Sequence, residues 1–365
     1  MDDYTWRLKL HERKNRERRS LLFIFIIIAA ILGSLIWYFF IYVRTPEYAL
    51  KNVQQAIETN DSELFTRYVN LSLLTSRAYD DLTYDLFAYD STLTPASRVM
   101  FEKFYILVKP ELTAGLEQTI TDKIKNNVWL LPSGTDILKG RQLGIDFERF
   151  IERSQLRNTS FIEIIGIDHG EKSATAHVKV RDDYTATGFT LDIVLEENSE
   201  HFYQVSYIAN YRDYLDTVAK VQNSDIASYI DATKEIVDSS NSELARYQSQ
   251  FQAYSKTTYG KLTPSQREGL ARVLENRAIP ALKNRLTKLD EIAVPAGAKY
   301  LANQRRHSAE LSIEGWQHLI KGLREDSHSE YDKAETITKE VLEIELRIAD
   351  IIHHTAISQN IPNLP

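Results

Sequence analysis

Residues 21–43 form an unbroken apolar run, dominated by Leu, Ile and Phe, with no charged residue. No other stretch of the chain limits its fold so severely. As a helix rising 1.5 Å per residue the run covers roughly 34 Å, enough to cross a hydrocarbon layer of about 30 Å. Gly33 and Ser34 are small residues that a membrane helix tolerates. Trp37, Tyr38 and Tyr42 lie toward its C-terminal end, where amphipathic rings favour the headgroup layer. The sequence therefore predicts a transmembrane helix over 21–43, with the lipid bilayer as its first partner.

The flanks set the orientation. Arg7, Lys9, Arg13, Lys14, Arg16, Arg18 and Arg19 precede the run, whereas only Arg44 and Lys51 fall among the twenty residues after it. The positive-inside rule then predicts a cytoplasmic tail over 1–20 and an extracytoplasmic body beyond the span. A cleaved signal peptide has a shorter apolar region ending in a small-x-small site. The sequence here leaves through Tyr42-Val43-Arg44-Thr45-Pro46, so an uncleaved anchor is expected. The chain has no Cys, which removes a lipoprotein anchor and any disulfide framework. Binding of anionic headgroups is a second role open to the basic tail, but Glu12 and Glu17 dilute it and orientation is the simpler reading.

Charge narrows the partners. The whole chain holds 44 Lys+Arg against 51 Asp+Glu; residues 1–20 take seven basic and four acidic, leaving 37 against 47, net −10, for the rest. An acidic body lacks the basic footprint that nucleic acid requires, so none is expected, and the same charge argues against broad adhesion to anionic lipid.

Beyond the span the chain reads as an α+β region, 45–215, followed by an all-helical region, 219–358. Thr45-Pro46 is a cap with proline at the first helical position, and Ala49, Val53, Ala56 and Ile57 recur on one face. Asn60-Asp61-Ser62-Glu63 opens a second helix that buries Leu64, Phe65, Tyr68 and Val69. Thr94-Pro95 and Lys109-Pro110 are expected to open two more, the latter with Leu112, Leu116, Ile120 and Ile124 along a stripe. After Pro132-Ser133-Gly134 four strands are expected at Phe161–Ile167, Ser173–Arg181, Phe189–Glu196 and Phe202–Ile208. Ala174, Ala176, Val178 and Val180 alternate with Thr175, His177 and Lys179. Short turns make this a four-stranded antiparallel meander with helices packed on one face.

Thr45-Pro46-Glu47-Tyr48-Ala49-Leu50, with Ala56-Ile57, Asn60-Asp61 and Tyr68-Val69, resembles a bacterial membrane-anchored family of unknown function. Its members open with Pro-x-Tyr-Ala-Leu after a membrane helix, then an Asp-centred turn and Tyr-Val-Asp; this chain has Asn70 at the last position. The meander ending in Tyr203-Gln204-Val205 and Ile208-Ala209-Asn210 is similar to nuclear-transport-factor-2-like and cystatin-like cones. The resemblance spans Thr45 to about Leu215. It implies a cone-like fold and an envelope location, and no reaction.

In the helical region Ile226, Ile230, Thr233, Val237, Ser240, Leu244, Tyr247, Phe251 and Tyr254 follow alternating spacings of four and three, a heptad seam. Thr263-Pro264 opens the next helix, which Pro280 should kink. Pro295 opens a third, with Ala298, Ala302, Ala309, Trp316, Leu319 and Leu323 on its seam. A fourth, from about Ser329, carries Tyr331, Ala334, Val341, Ile344, Ile348 and Ile351. Four helices with short links predict an antiparallel bundle. Thr233 and Ser240 interrupt the seam, and polar seam residues can set register or partner number. Packing within the chain is the simpler reading, with self-association or a partner helix as the alternative.

Motifs with chemistry are scarce. His307, Glu310, Glu314 and His318 share one helix face at spacings that could ligate zinc or iron. That face lies opposite the seam, however, so a solvated charged stripe is expected. Glu163, His177 and Asp192 share the polar face of the sheet, where a His–carboxylate pair could do acid–base work, although exposure is the default. His353-His354 has no acidic partner at ligand spacing. Asp80, Asp81 and Asp85 lack the alternation and Gly of a calcium loop. No phosphate loop or nucleophile elbow is present. We assign no catalytic, cofactor or metal residue from sequence. The expected role is a non-enzymatic binding or scaffolding ectodomain. The alternatives are a hydrolase or isomerase, or a small-molecule or lipid carrier, using a pocket in the cone.

Overall fold

The computed structural model describes residues 23, 25–35, 37–88, 94–131, 147–256 and 262–359, with backbone alone for 85–88, 251–256 and 356–359. The basic tail, Pro132-Ser133-Gly134 and the seam side chains of Phe251 and Tyr254 lie outside this part. Phe25–Arg44 is a helix long and apolar enough to cross a membrane, with mean hydropathy 2.4 and none of it buried by protein.

One residue separates that helix from the folded body. Thr45 caps α1 (Pro46–Thr59), its Oγ1 accepting from the Tyr48 amide at 3.2 Å. Proline at the first position fits because that N–H would have no helical partner. The rings of Tyr42 and Tyr48 meet at 5.3 Å, Tyr38 and Tyr48 at 6.3 Å, and Tyr48 and Tyr68 at 6.1 Å. A ladder of rings thus runs from the apolar helix into the core. Asp61 caps α2 (Ser62–Tyr68), which turns back toward α1 and brings Tyr68 onto Tyr48.

Helices α3 (Leu71–Ala88) and α4 (Pro95–Asn126) pair antiparallel, linked by Lys109–Asp80 at 2.7 Å and by the Tyr79 hydroxyl donating to the Tyr105 carbonyl at 2.6 Å. The helix start expected at Pro110 is not there: Pro110 lies inside α4. Pro110 and Ile106 both face solvent, so water can meet the carbonyl that proline leaves without an N–H. The opposite face, with Val108, Leu112, Leu116 and Ile124, stays buried and keeps the helix continuous.

After α5 (Phe147–Arg153) come β1 (Thr159–His169), β2 (Ser173–Asp182), β3 (Gly188–Glu197) and β4 (Tyr203–Ile208). They form one antiparallel sheet in the order β1-β2-β3-β4. Ala174, Ala176, Val178 and Val180 are buried as their alternation predicts. Ala176, Val178 and Val180 join Leu191, Leu195 and Val205 against α3, α4 and α5 in one apolar core. At the β4 edge Val69 bridges Val205, and the Asn70 amide donates to the Val205 carbonyl at 2.8 Å. The β1 edge is interrupted by two register shifts, a device that discourages pairing with another chain.

The long helix α6 (Tyr211–Lys256) follows the sheet within three residues. Tyr211, Tyr214, Leu215 and Val218 belong to the sheet core, whereas Ile226, Tyr229 and Tyr247 belong to helical clusters. The boundary expected between 215 and 219 thus falls inside an unbroken helix about 69 Å long at 1.5 Å per residue. Next come α7 (Pro264–Val273), a π-helical turn (Leu274–Ala278), α8 (Ile279–Asp290), α9 (Lys299–Glu325) and α10 (His328–Gln359). The π turn answers Pro280: the Ile279 amide reaches back five residues to Leu274, shifting the ladder just before the residue that cannot donate.

Candidate functional site

Three clusters of polar side chains merit a chemical reading, beginning with the outer face of the sheet. His177 stands on β2 between neighbours on both sides. Its Nδ1 lies 2.7 Å from Asp192 Oδ1 on β3, and its Nε2 lies 3.1 Å from Asp168 Oδ2 on β1. The structure therefore joins His177 to Asp192, as their shared face suggests, and adds Asp168. Gly166 sits opposite His177 in the register, with open space where a Cβ would be. Glu163 is displaced from the group by the bulge between Ile164 and Gly166 and pairs with Lys179 at 3.4 Å.

Hydrogen bonds to Asp168 first, and then to Asp192, raise the His177 pKa above the ordinary imidazole value. Both ring nitrogens are engaged by carboxylates, which favours the protonated ring relative to a free imidazole and ties three strands together. Asp168 lies one residue beyond the strand expected at Phe161–Ile167. The register shift that carries it into β1 has no sequence signature beyond Gly166.

The second cluster lies on α9 and α10. His307, Glu310 and Glu314 are exposed, and Glu310 faces Arg306 at 3.8 Å. His318 turns away from them to α10, its Nδ1 lying 2.6 Å from Glu330 Oε2. Lys333 and Lys321 cover the other oxygen at 3.0 and 3.3 Å. His318, then Lys333 and Lys321, hold the Glu330 pKa down to about 2. The four residues of the stripe are thus not brought together. No group of three or more His, Asp or Glu suited to a metal ion occurs among the described residues. Contrary to the expectation that His353-His354 has no acidic partner at such spacing, His354 bonds Asp350 at 3.1 Å, four residues earlier on the same helix. Asp80 pairs with Lys109, while burial raises the Asp81 pKa; the Asp85 side chain lies outside the described part.

The third cluster has no motif in the sequence. It lies where the sheet end meets the helical region. Arg149 on α5 holds Asp350 on α10 at 3.1 Å, and Gln155 donates to Gln222 on α6 at 3.2 Å. Burial works against ionisation of Asp350, yet His354 and Arg149 outweigh it and keep its pKa well below the carboxylate range. Glu152, on the same helix as Arg149, is buried with a weak 3.4 Å bond from Asn158. Burial pushes its pKa up to about 7. The Gly297 amide donates to Asp225 at 2.8 Å, and a Cβ there would meet the Gln222 Cα at 2.9 Å, so glycine allows this close approach. Only the fold brings these residues together, from segments up to about 200 positions apart.

No family model, curated protein or solved structure matches the chain.

Proposed function

We propose that the chain is a single-pass membrane protein whose extracytoplasmic body is a non-enzymatic binding or scaffolding unit held close against the bilayer. The observation that carries this reading is the aromatic ladder from Tyr38 and Tyr42 through Tyr48 to Tyr68, with one residue between the apolar helix and α1. Side chains with an apolar body and a polar tip suit the water–lipid boundary, and here they also pack the base of the folded body. A body joined in this way has no slack with which to sample the space above the membrane.

The proposed architecture is a cone-like α+β part at the membrane and an antiparallel helical bundle beyond it. α6 supports it as a shared strut, because one helix furnishes side chains to both parts. The resemblance to the Pro-x-Tyr-Ala-Leu family points the same way. The inner face of the sheet is occupied by Ala176, Val178, Leu195 and Val205 packed against helices, which favours a filled core over a cone pocket for an enzyme or carrier. His177 faces the other side in a shallow, partly exposed position.

Protease shaving of intact right-side-out cells or spheroplasts expressing the full chain tests the reading. Expected is digestion of the large body, leaving a short protected stub that includes 21–43. Protection of the body in cells whose external control protein is digested would place it in the cytoplasm and overturn the reading.

A further inference from the structure

Four consecutive residues at the C-terminal end of α4 combine features that neither core explains. Asn127, in the left-handed region at φ 54°, ends the helix, its amide bonding the Lys123 carbonyl at 2.9 Å. The chain then presents Val128, Leu130 and Leu131 at 52%, 46% and 41% exposure. Trp129, half-buried between them, lies under the Lys123 ammonium, 5.5 Å from the ring centroid, and the same ammonium donates to Asn127 Oδ1 at 2.9 Å and to the Asn127 carbonyl at 3.2 Å. Lys125 is exposed on the turn before.

The position of this turn identifies what it faces. α4 runs antiparallel to α3, from Tyr105, which feels the charges of Arg153 and Asp350 at the helical region, back toward the start of α3. Glu117, Gln118, Thr121 and Asp122 line one groove with Thr66 and Asn70, two residues before and two after Tyr68. Tyr68 is the last ring of the ladder from the apolar helix. Asp122 therefore lies near the segment that carries Tyr68, and α4 continues about 6 Å further before it ends. Val128–Leu131 follows this end of α4, toward the end of the fold from which the proposed anchor would leave for the bilayer.

The chemistry of the turn fits that neighbour. Tryptophan prefers the headgroup layer, leucine and valine the acyl boundary just below it, and lysines lay their stems along apolar surface while their ammonium groups meet phosphate. We infer that Val128–Leu131, backed by Lys123 and Lys125, is a second membrane contact that seats the body on the headgroup–acyl boundary of the bilayer carrying its own anchor. The inference rests on the anchored reading above. With the anchor at one point and this turn at another, the body would be fixed in tilt as well as in height.

The absence of native cysteine makes the test direct. Single variants Leu130→Cys, Val128→Cys, Ile27→Cys and Ser239→Cys of the full chain carry a nitroxide label in nanodiscs of phosphatidylcholine and phosphatidylglycerol. Collision with oxygen is compared with collision with a water-soluble nickel chelate. Expected is oxygen access exceeding nickel access at 128 and 130, as at 27 in the anchor, with the order inverted at 239 on α6. Nickel access dominating at both 128 and 130 while 27 is lipid-exposed overturns the contact and leaves the anchor standing. Low access to both reagents at 128 and 130 means burial against protein and also overturns it. Nickel access dominating at 27 overturns the anchor, and the contact with it.

Discussion

The sheet region and the helical region bury polar groups in different ways. In the sheet region one apolar cluster extends from Ala49 to Val218, and its buried polar residues gather mostly at the end facing the helices: Glu152, Ser154, Gln155, Asn158 and Asp182. In the helical region two apolar clusters are separated along the helices by a polar layer. There Arg305 donates to Thr233 at 2.7 Å and lies over the Tyr229 ring at 5.3 Å, and Ser308 bonds Glu345. A sheet with helices on one face has its register fixed by alternation and can stay apolar inside. Parallel apolar stripes on helices can slide by a turn, and a partnered polar layer penalises every register but one. Thr233, the polar interruption on the α6 seam, thus finds its partner within the chain. Ser240, one heptad on, is buried without a hydrogen-bond partner, so the layer is built at Thr233 alone.

The largest expected effect falls where the regions join. Tyr214 on α6 is 1% exposed, packs its ring at a tilt on Phe189 with centroids 5.5 Å apart and bonds Thr159 at 2.7 Å. Tyr214→Ala removes a packed ring and leaves a cavity, costing about 4 kcal/mol. If α6 couples the regions, urea unfolding of the full chain in detergent, followed by probes in each, shifts both transitions together. A shift confined to the sheet probe would show that the regions unfold separately.

Glu152 gives the next effect, with the opposite sign. Its pKa moves from 4.5 to about 7 on folding, because burial disfavours the charged form. The folded chain therefore holds a proton that the unfolded chain releases, and stability falls as pH rises from about 4.5 to 7, by about 3 kcal/mol in all. Glu152→Gln should flatten that slope, adding up to about 3 kcal/mol above pH 7 and little below pH 4.5. Denaturation midpoints across this range check it; an unchanged slope would mean that the carboxylate is ionised at no cost.

Arg305 sharpens the contrast with the smallest change. Arg305→Ala removes stem packing and the bond to Thr233, costing about 2 kcal/mol. Arg305→Met keeps the volume, and its effect on stability should stay under about 1.5 kcal/mol. The second variant tests register specificity, read as broadened amide resonances in the helical region without a matching loss of stability. Sharp, unshifted spectra for Arg305→Met would show that packing alone fixes the register.

Local signals account for most elements. Caps at Thr45, Asp61, Thr94 and Thr263, the alternation from Ala174 to Val180, the seam of α6 as far as Tyr247 and that of α10 act over a few residues, and these appear where the sequence places them. Pro110 misleads because proline at a helix start and proline inside a helix differ only in what packs around them; the buried stripe of α4 overrides the local signal. Glu163 and Asp168 exchange roles beside His177 because strand bulges change register without a compositional mark. The Arg149–Asp350 and Gln155–Gln222 contacts depend on how α5, α6 and α10 meet, a long-range outcome that no local pattern encodes.

The central claim is that the two regions form one stiff body carried by α6. Labels at Glu171→Cys, at the end of the sheet beside the start of α1, and Ser239→Cys, far along α6, allow pulsed electron–electron distance measurement on the full chain in nanodiscs. One narrow distance distribution is predicted, unchanged by dilution in lipid. A broad or bimodal distribution would contradict the account, because it would mean that the helical region swings on the sheet.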